Sequence, residues 1–255
     1  MAKLQHEEFG PAGGPVLVLG GSLGTALRMW RPQVEALADR YRIICYDHRG
    51  HGGSQVPPGP YTMDDLGGDV LALLDGLGVD SFAYCGLSLG GMVGMWLAAH
   101  QPGRVRRLVL LCTAAHLPPA QGWLERAARV RGAGITSIAD TVLARWFTAA
   151  MPGTDPRVAW CREMLLATPA EGYAGCCEAI AMMDLRPELV RIAAPTLVVA
   201  GALDPATPPT FAGQIAAAVP AARLTILPDA AHLSNVECPD SVSGLLTEHL
   251  ESTDG

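Results

Sequence analysis

Residues 82–92, FAYCGLSLGGM, place a single serine, Ser88, between an apolar run and a stretch opened by glycines. The run FAYCGL (82–87) is continuously apolar, as in a buried strand, and a helical pattern begins after the serine. A G-x-S-x-G pentad between a strand and a helix is typical of a nucleophile elbow, where the serine occupies a strained turn and glycines clear the space around it. The stretch therefore predicts a reactive serine at the carboxyl edge of a sheet.

Short apolar runs alternate with helical patterns along the rest of the chain. Six runs read as buried strands, namely 15–20, 42–47, 82–87, 107–112, 196–201 and 223–228. Helical patterns lie near 32–39, 62–77, 89–101, 209–218 and 240–250. We also expect an edge strand within residues 3–9. Strand–helix alternation of this kind predicts an α/β fold with a mostly parallel central sheet and helices on both faces.

One interval, residues 118–191, interrupts this alternation. It contains helical segments broken by glycine and proline and no strand-like run. A crossover between parallel strands needs only about a dozen residues, so this interval is too long for one connection. We therefore predict a helical lid at 118–191, called the inserted segment below, within a core formed by residues 1–117 and 192–255.

A serine nucleophile needs a base, and the base needs an acid that orients it. His232 lies in a small-residue loop after the last predicted strand, and Asp204 follows the strand at 196–201. Asp229 is the alternative acid, although it stands only three residues before His232. The order Ser88, Asp204, His232 is that of α/β-hydrolases. His48 and His51 lie in a glycine-rich loop and are expected to shape a turn near the site.

Stabilising a developing oxyanion requires two backbone N–H donors aimed at one point. We assign one to Leu89, the residue after the nucleophile. The second should come from the loop after the strand at 15–20, where Gly21-Ser22-Leu23-Gly24 takes the position of the usual His-Gly-x-Gly pattern. Leu23 is therefore the predicted second donor.

Composition excludes several classes of function. The formal net charge of −7 argues against nucleic acid as a partner, and Lys3 is the only lysine, which leaves no candidate for Schiff-base chemistry. No CxxC pair or histidine–aspartate cluster is present, which argues against a zinc site, a thioredoxin-type protein and a metal-dependent lactonase. No apolar run is long enough for a membrane span, and the first ten residues lack an apolar signal core, so we expect a soluble, cytoplasmic protein.

Several stretches are specific to a narrower family than the elbow pattern is. The sequences LGGSLGTALRMWRPQ, YDHRGHGGSQVPPGPYT, GLSLGGM, GYAGCCEAI, MDLR and AGALDPATPP resemble those of α/β-hydrolases and, within them, 3-oxoadipate enol-lactone hydrolases. The resemblance covers essentially the whole chain and implies cofactor-free opening of an enol-lactone ring. One position departs from it: Ala181 stands where members of that family are expected to carry an arginine, which places the exact substrate in question.

A carboxylate-bearing substrate would need a positive group within this anionic protein. Arg126 and Arg129 share one face of a predicted helix at the start of the inserted segment. Trp123 and Trp146 are further candidates for substrate binding. A solvated basic face explains the arginines equally well, and core packing is the commoner use of the tryptophans.

Three alternatives for function remain open at this level. An esterase or a lactonase of secondary metabolism would carry the same three catalytic residues, because substrate choice depends on the inserted segment. A non-catalytic ligand-binding protein on the same fold is the third, although such proteins usually lose one catalytic residue. The sequence allows either a monomer or a homodimer.

Overall fold

The computed structural model describes residues 1–252 and places their seven strands in one sheet. The strands are β1 (His6–Phe9), β2 (Val16–Gly20), β3 (Arg42–Tyr46), β4 (Phe82–Leu87), β5 (Val105–Leu111), β6 (Thr196–Gly201) and β7 (Ala222–Leu227). Their order across the sheet is β1-β3-β2-β4-β5-β6-β7. All six predicted runs form strands, but the prediction that 223–228 is buried was wrong, because β7 lies at the sheet edge with Leu224 and Ile226 exposed. The expected edge strand near the N-terminus is β1.

The direction of the strands confirms the mostly parallel sheet. β1 pairs antiparallel with β3, and every other neighbouring pair is parallel. In the sheet, β3 lies on one side of β2 and β4 lies on the other side, so the direction in which successive strands are added reverses at β2. A crevice opens at the carboxyl ends of the strands where such a reversal occurs, and ligands bind there in open α/β sheets.

Helices cover both faces of this sheet. The core helices are α1 (Arg31–Leu37), α2 (Met63–Gly76), α3 (Leu89–His100), α8 (Pro209–Ala218), α9 (Ser234–Glu237) and α10 (Pro239–Glu251). Right-handed crossovers in opposite directions place α1 on one face and α2, α3 and α8 on the other. Consistent with this, α10 packs against α1, while α3 packs against α2, β4 and β5. The short α9 was not anticipated from the sequence.

The inserted segment between β5 and β6 is helical. It contains α4 (Ala120–Ala133), α5 (Ala139–Trp146), α6 (Pro156–Ala167) and α7 (Ala170–Met182), followed by a 3-10 helix, Arg186–Arg191. Packing between α4 and α7 is the most extensive contact between any two elements of residues 1–252. All seven strands lie outside the segment. Its division from the core as a lid stays a prediction.

No helix within residues 1–252 combines the length and the apolar composition needed to span a bilayer.

Candidate active site

The serine at position 88 occupies the turn between β4 and α3, as the elbow pattern predicts. Its backbone has φ 55° and ψ −112°, in the left-handed region that residues with a side chain rarely adopt. A Cβ at Gly86 would overlap the carbonyl of Gly90, and one at Gly90 would overlap the carbonyl of Gly20. The glycines around Ser88 are therefore required by close backbone contacts rather than by general flexibility.

Two hydrogen bonds from β5 and the residues after it fix this turn. The Ser88 N–H donates to the Leu111 carbonyl over 2.9 Å, and Thr113 Oγ1 donates to the Ser88 carbonyl over 2.7 Å. The Ser88 side chain is left pointing into the crevice with only 8% of the residue exposed.

Loops from two further strand ends bring Asp204 and His232 together. Asp204 follows β6, His232 follows β7, and His232 Nδ1 lies 2.8 Å from Asp204 Oδ2. Both residues are buried, at 3% and 4% exposure. The carboxylate can only accept from Nδ1, so Nδ1 carries the proton and Nε2 is left with its lone pair. His232 and Ser88 line the same cavity, and no hydrogen bond joins their side chains within residues 1–252.

Three further donors hold the Asp204 carboxylate. Oδ1 accepts from the N–H groups of Ala206 and Thr207, and Oδ2 accepts from Thr207 Oγ1 over 2.6 Å. Burial alone would raise the pKa of Asp204, but the electrostatic interaction with His232 and the hydrogen bonds from His232 and Thr207 outweigh it and lower that pKa. Asp204 is therefore held as a carboxylate. The alternative acid, Asp229, is exposed to solvent.

The predicted oxyanion donors flank the serine. Leu23 lies in the loop after β2 and lines the cavity with Ser88, and Leu89 is the first residue of α3. Among residues 1–252 neither backbone N–H finds a protein acceptor, and both residues are buried. Buried N–H groups without an acceptor are uncommon, and a substrate oxyanion would satisfy both.

Two histidines fasten the loop that carries Leu23. His51 Nε2 accepts from the Gly24 N–H over 2.9 Å, while His51 Nδ1 faces the Arg49 carbonyl at 3.2 Å. His48 Nε2 donates to the Gly21 carbonyl over 3.0 Å. This agrees with the expectation that both histidines shape a turn near the site.

Both histidines are neutral near pH 7. Burial lowers the pKa of His51 to about 4. Burial and the neighbouring His51 lower the pKa of His48 to about 3. The neutral form of His51 is required by the geometry, because a protonated Nε2 would point a second donor at the Gly24 N–H.

Side chains of the inserted segment close the cavity over Ser88 and His232. The segment contributes Trp123, Arg126, Val142, Arg145, Trp146 and Tyr173. Trp146 is almost fully buried, and the Arg126 guanidinium stacks over the Trp123 ring at 4.7 Å from its centroid. Three of the four residues singled out in the segment from sequence, Trp123, Arg126 and Trp146, thus lie at this cavity.

Arg129, the fourth, lies elsewhere. It is exposed and lines a second pocket, which shares Arg126 and Val142 with the cavity over Ser88. Ala181 is buried near the end of α7 and does not line the cavity over Ser88.

Sequence reasoning missed two residues of the site. Thr207 has a hydroxyl within hydrogen-bond distance of both Asp204 Oδ2 and His232 Nδ1. Tyr173 lines the cavity from α7. The position of Thr207 three residues after the acid could have indicated a capping contact, whereas the inward direction of Tyr173 depends on how α7 packs on α4.

No group of three or more histidine, cysteine, aspartate or glutamate side chains able to hold a metal ion occurs in residues 1–252.

The site combines a serine at a strained strand–helix turn with a buried aspartate–histidine pair that comes from two later strand ends. This combination is typical of α/β hydrolases. The model of the α/β hydrolase fold family matches residues 14–239, and the chain belongs to that family.

Similar proteins within this family indicate a narrower group of hydrolases. The chain is 45% identical to 3-oxoadipate enol-lactonase 2 of Acinetobacter baylyi, over 93% of this chain and 89% of that protein. It is 36% identical to 3-oxoadipate enol-lactonase 1 of the same organism, over 95% and 91%. The crystal structure of the enol-lactonase from Burkholderia xenovorans superimposes with a TM-score of 0.96 at 42% identity, covering 98% of this chain and 97% of that one.

Proposed function

We propose that this enzyme is a carboxylic ester hydrolase that opens 3-oxoadipate enol-lactone to 3-oxoadipate in the catabolism of aromatic compounds. The named activity of the relatives at 45% and 36% identity supports the reaction. The observation that carries the assignment is that two arginines without a carboxylate partner in residues 1–252, Arg126 and Arg145, line the cavity over Ser88. Such a cavity suits a small lactone that bears a carboxylate.

In the first half-reaction, Ser88 Oγ attacks the lactone carbonyl while His232 Nε2 takes its proton. Asp204 holds the Nδ1–H tautomer of His232 and stabilises the imidazolium that forms. The tetrahedral intermediate collapses by breaking the bond between the carbonyl carbon and the ring oxygen. The imidazolium returns the proton to the departing enol oxygen, and the free enol tautomerises to the ketone.

The oxyanion of that intermediate lies between the N–H groups of Leu23 and Leu89. Donors fixed in place before the reaction stabilise developing charge without reorganisation, and losing one costs about 3–4 kcal/mol of transition-state stabilisation. His48 and His51 keep the Leu23 loop at the required position.

In the second half-reaction, water attacks the acyl carbon on Ser88. His232 Nε2 takes one proton from the water, the bond to Ser88 Oγ breaks, and the proton returns to the serine. The product carries two carboxylates, and no cofactor enters the balance.

The inserted segment, residues 118–191, serves as the lid over this chemistry. Arg126 and Arg145 bind the substrate carboxylate, and Trp123 and Trp146 supply the apolar walls that orient the ring. An arginine at the position of Ala181 is not needed for this contact, because Ala181 lies outside the cavity. The exposed Arg129 lines the second pocket together with Arg126 and Glu125, so its contribution to binding is limited to long-range attraction of an anionic substrate.

All proposed catalytic groups come from one chain, so turnover requires no second copy, and a monomer or a homodimer would serve equally. Seven unpaired cysteines among residues 1–252 suit the reducing cytoplasm, where we expect the enzyme to work.

A steady-state comparison of 3-oxoadipate enol-lactone with neutral lactones of similar size tests this function. We expect kcat/KM for the enol-lactone to be at least about 100-fold higher, since charged hydrogen bonds contribute about 1.5–3 kcal/mol each. Equal or faster turnover of the neutral lactones would reject the substrate and retain the hydrolase.

A further inference from the structure

Glu237 links the loop of His232 to the inserted segment, although it lies outside the cavity. It is the last residue of α9, five positions after the histidine. Glu237 Oε2 accepts from the Ala231 N–H over 2.8 Å, directly before His232. Glu237 Oε1 accepts from both the N–H and the hydroxyl of Thr148, over 2.8 and 2.6 Å.

A second bond joins the same two regions on the other side of His232. The Leu233 N–H donates to the Trp146 carbonyl over 2.9 Å. Both peptide neighbours of His232 are thus tied to residues 146–148, one directly and one through Glu237. Trp146 also lines the substrate cavity, so one short segment contacts the substrate pocket and the supports of the histidine.

From this network we infer that Glu237 is a positioning residue for His232, and that it couples the histidine to the inserted segment. The inference rests on the proposed function, in which His232 is the base. A carboxylate that accepts three hydrogen bonds forms a stronger and more rigid connection than a neutral group would. A displacement of about 1 Å in a catalytic group can cost on the order of a hundredfold in rate, so small movements of this loop matter.

Substituting glutamine for Glu237 changes the charge and the acceptor oxygens of the side chain but keeps its shape, so the variant tests the role of the carboxylate itself. An amide has one acceptor oxygen, while Ala231 N–H and Thr148 N–H both need an acceptor on opposite sides of the group. Glu237→Gln therefore leaves one backbone N–H facing an amide NH₂ at nearly unchanged volume. Thr148→Val removes the hydroxyl donor, and Thr148→Ser keeps it. Glu248→Gln is the matched control, because Glu248 is exposed on α10.

The experiment measures kcat and KM on a neutral aryl ester together with the rate at which a fluorophosphonate labels Ser88. We expect Glu237→Gln to lower both kcat and the labelling rate by about 10- to 100-fold, with KM for the ester little changed. Thr148→Val should lower kcat and the labelling rate less than Glu237→Gln does. Thr148→Ser and Glu248→Gln should match wild type in both quantities. The double variant Glu237→Gln/Thr148→Val should have the same kcat and labelling rate as Glu237→Gln alone.

Unchanged kcat and labelling in folded Glu237→Gln, as judged by its Tm, would overturn the positioning role. Additive losses in the double variant would overturn the coupling through Thr148. Failure of wild-type Ser88 to react with the fluorophosphonate would instead overturn the proposed function itself, and this inference with it.

Discussion

The turn around Ser88 and the junction between α4 and α7 in the inserted segment are held in place by different kinds of contact. At the sheet edge, backbone lies directly against backbone, as where Gly86 and Gly90 leave no room for a side chain. In the inserted segment, charged side chains join helices: Arg131 on α4 pairs with Glu171 and Glu178 on α7. The first arrangement tolerates almost no substitution, whereas the second depends on side chains that can be exchanged. We therefore propose that the first region carries the reaction chemistry and that the inserted segment sets substrate choice.

Among the substitutions that distinguish rival candidate residues, the acid at the sheet edge should give the largest effect. Asp204→Asn should lower kcat by about 10⁴-fold, because an amide favours the wrong tautomer of His232. Steady-state turnover of an aryl ester measures this, and Asp229→Asn is the control expected to keep wild-type turnover. The reverse pattern would move the acid to Asp229.

A pair of glycine substitutions compares the two regions directly. Gly86→Ala should lower the free energy of unfolding by several kcal/mol, because the new methyl group overlaps the Gly90 carbonyl. Gly132→Ala in α4 meets nothing within 4 Å and should raise it by up to about 1 kcal/mol. Urea unfolding of both variants measures the contrast. Equal effects would show that the regions do not differ in this way.

Substrate choice should respond to the inserted segment alone. Arg126→Gln and Arg145→Gln should each raise KM for the enol-lactone by about tenfold or more, while kcat for a neutral aryl ester stays within about twofold. Arg129→Gln should have a smaller effect, because Arg129 is exposed and lies outside the cavity. Losses of the same size on the neutral ester would remove the arginines from carboxylate recognition.

The smallest effect is the part of the pH dependence that comes from histidines, which arises in the core because the inserted segment contains no histidine. Burial lowers the pKa of His48 to about 3 and those of His51 and His249 to about 4. In the unfolded chain these groups bind protons near pH 6.5, so acid favours unfolding. The free energy of unfolding should therefore fall as pH drops from about 6.5 towards 4.

Urea unfolding at several pH values tests this, with His51→Gln as the informative variant. Loss of one of the three histidines should make the fall between pH 6.5 and 5 shallower. An unchanged slope would mean that His51 is protonated as readily in the folded chain as in the unfolded one.

Short motifs allowed the fold and the three catalytic candidates to be predicted from sequence. Ser88 and Asp204 each follow a buried strand with a continuous apolar run, and His232 follows the more polar edge strand β7. Parallel strands bring all three positions to one edge of the sheet. Strand bounds agree within a few residues for the same reason. Because Asp204 and His232 follow adjacent parallel strands, their side chains can meet, and His232 Nδ1 lies 2.8 Å from Asp204 Oδ2.

The sequence predicted that the inserted segment is helical, but it did not predict which residues its helices contact. Helical periodicity places Arg126 and Arg129 on one face, yet only Arg126 reaches the cavity, because the position of α4 depends on its packing against α7. Tyr173 and Glu237 were missed for the same reason: Tyr173 is placed by the packing of α7, and Glu237 bonds to Thr148 in a distant part of the chain.

Mass spectrometry of the rapidly quenched enzyme during turnover of the enol-lactone tests the central claim most directly. We predict an acyl adduct on the peptide that contains Ser88, absent from Ser88→Ala, whose turnover should fall by roughly 10⁴- to 10⁶-fold. An adduct on another residue, or full turnover by Ser88→Ala, would contradict the account.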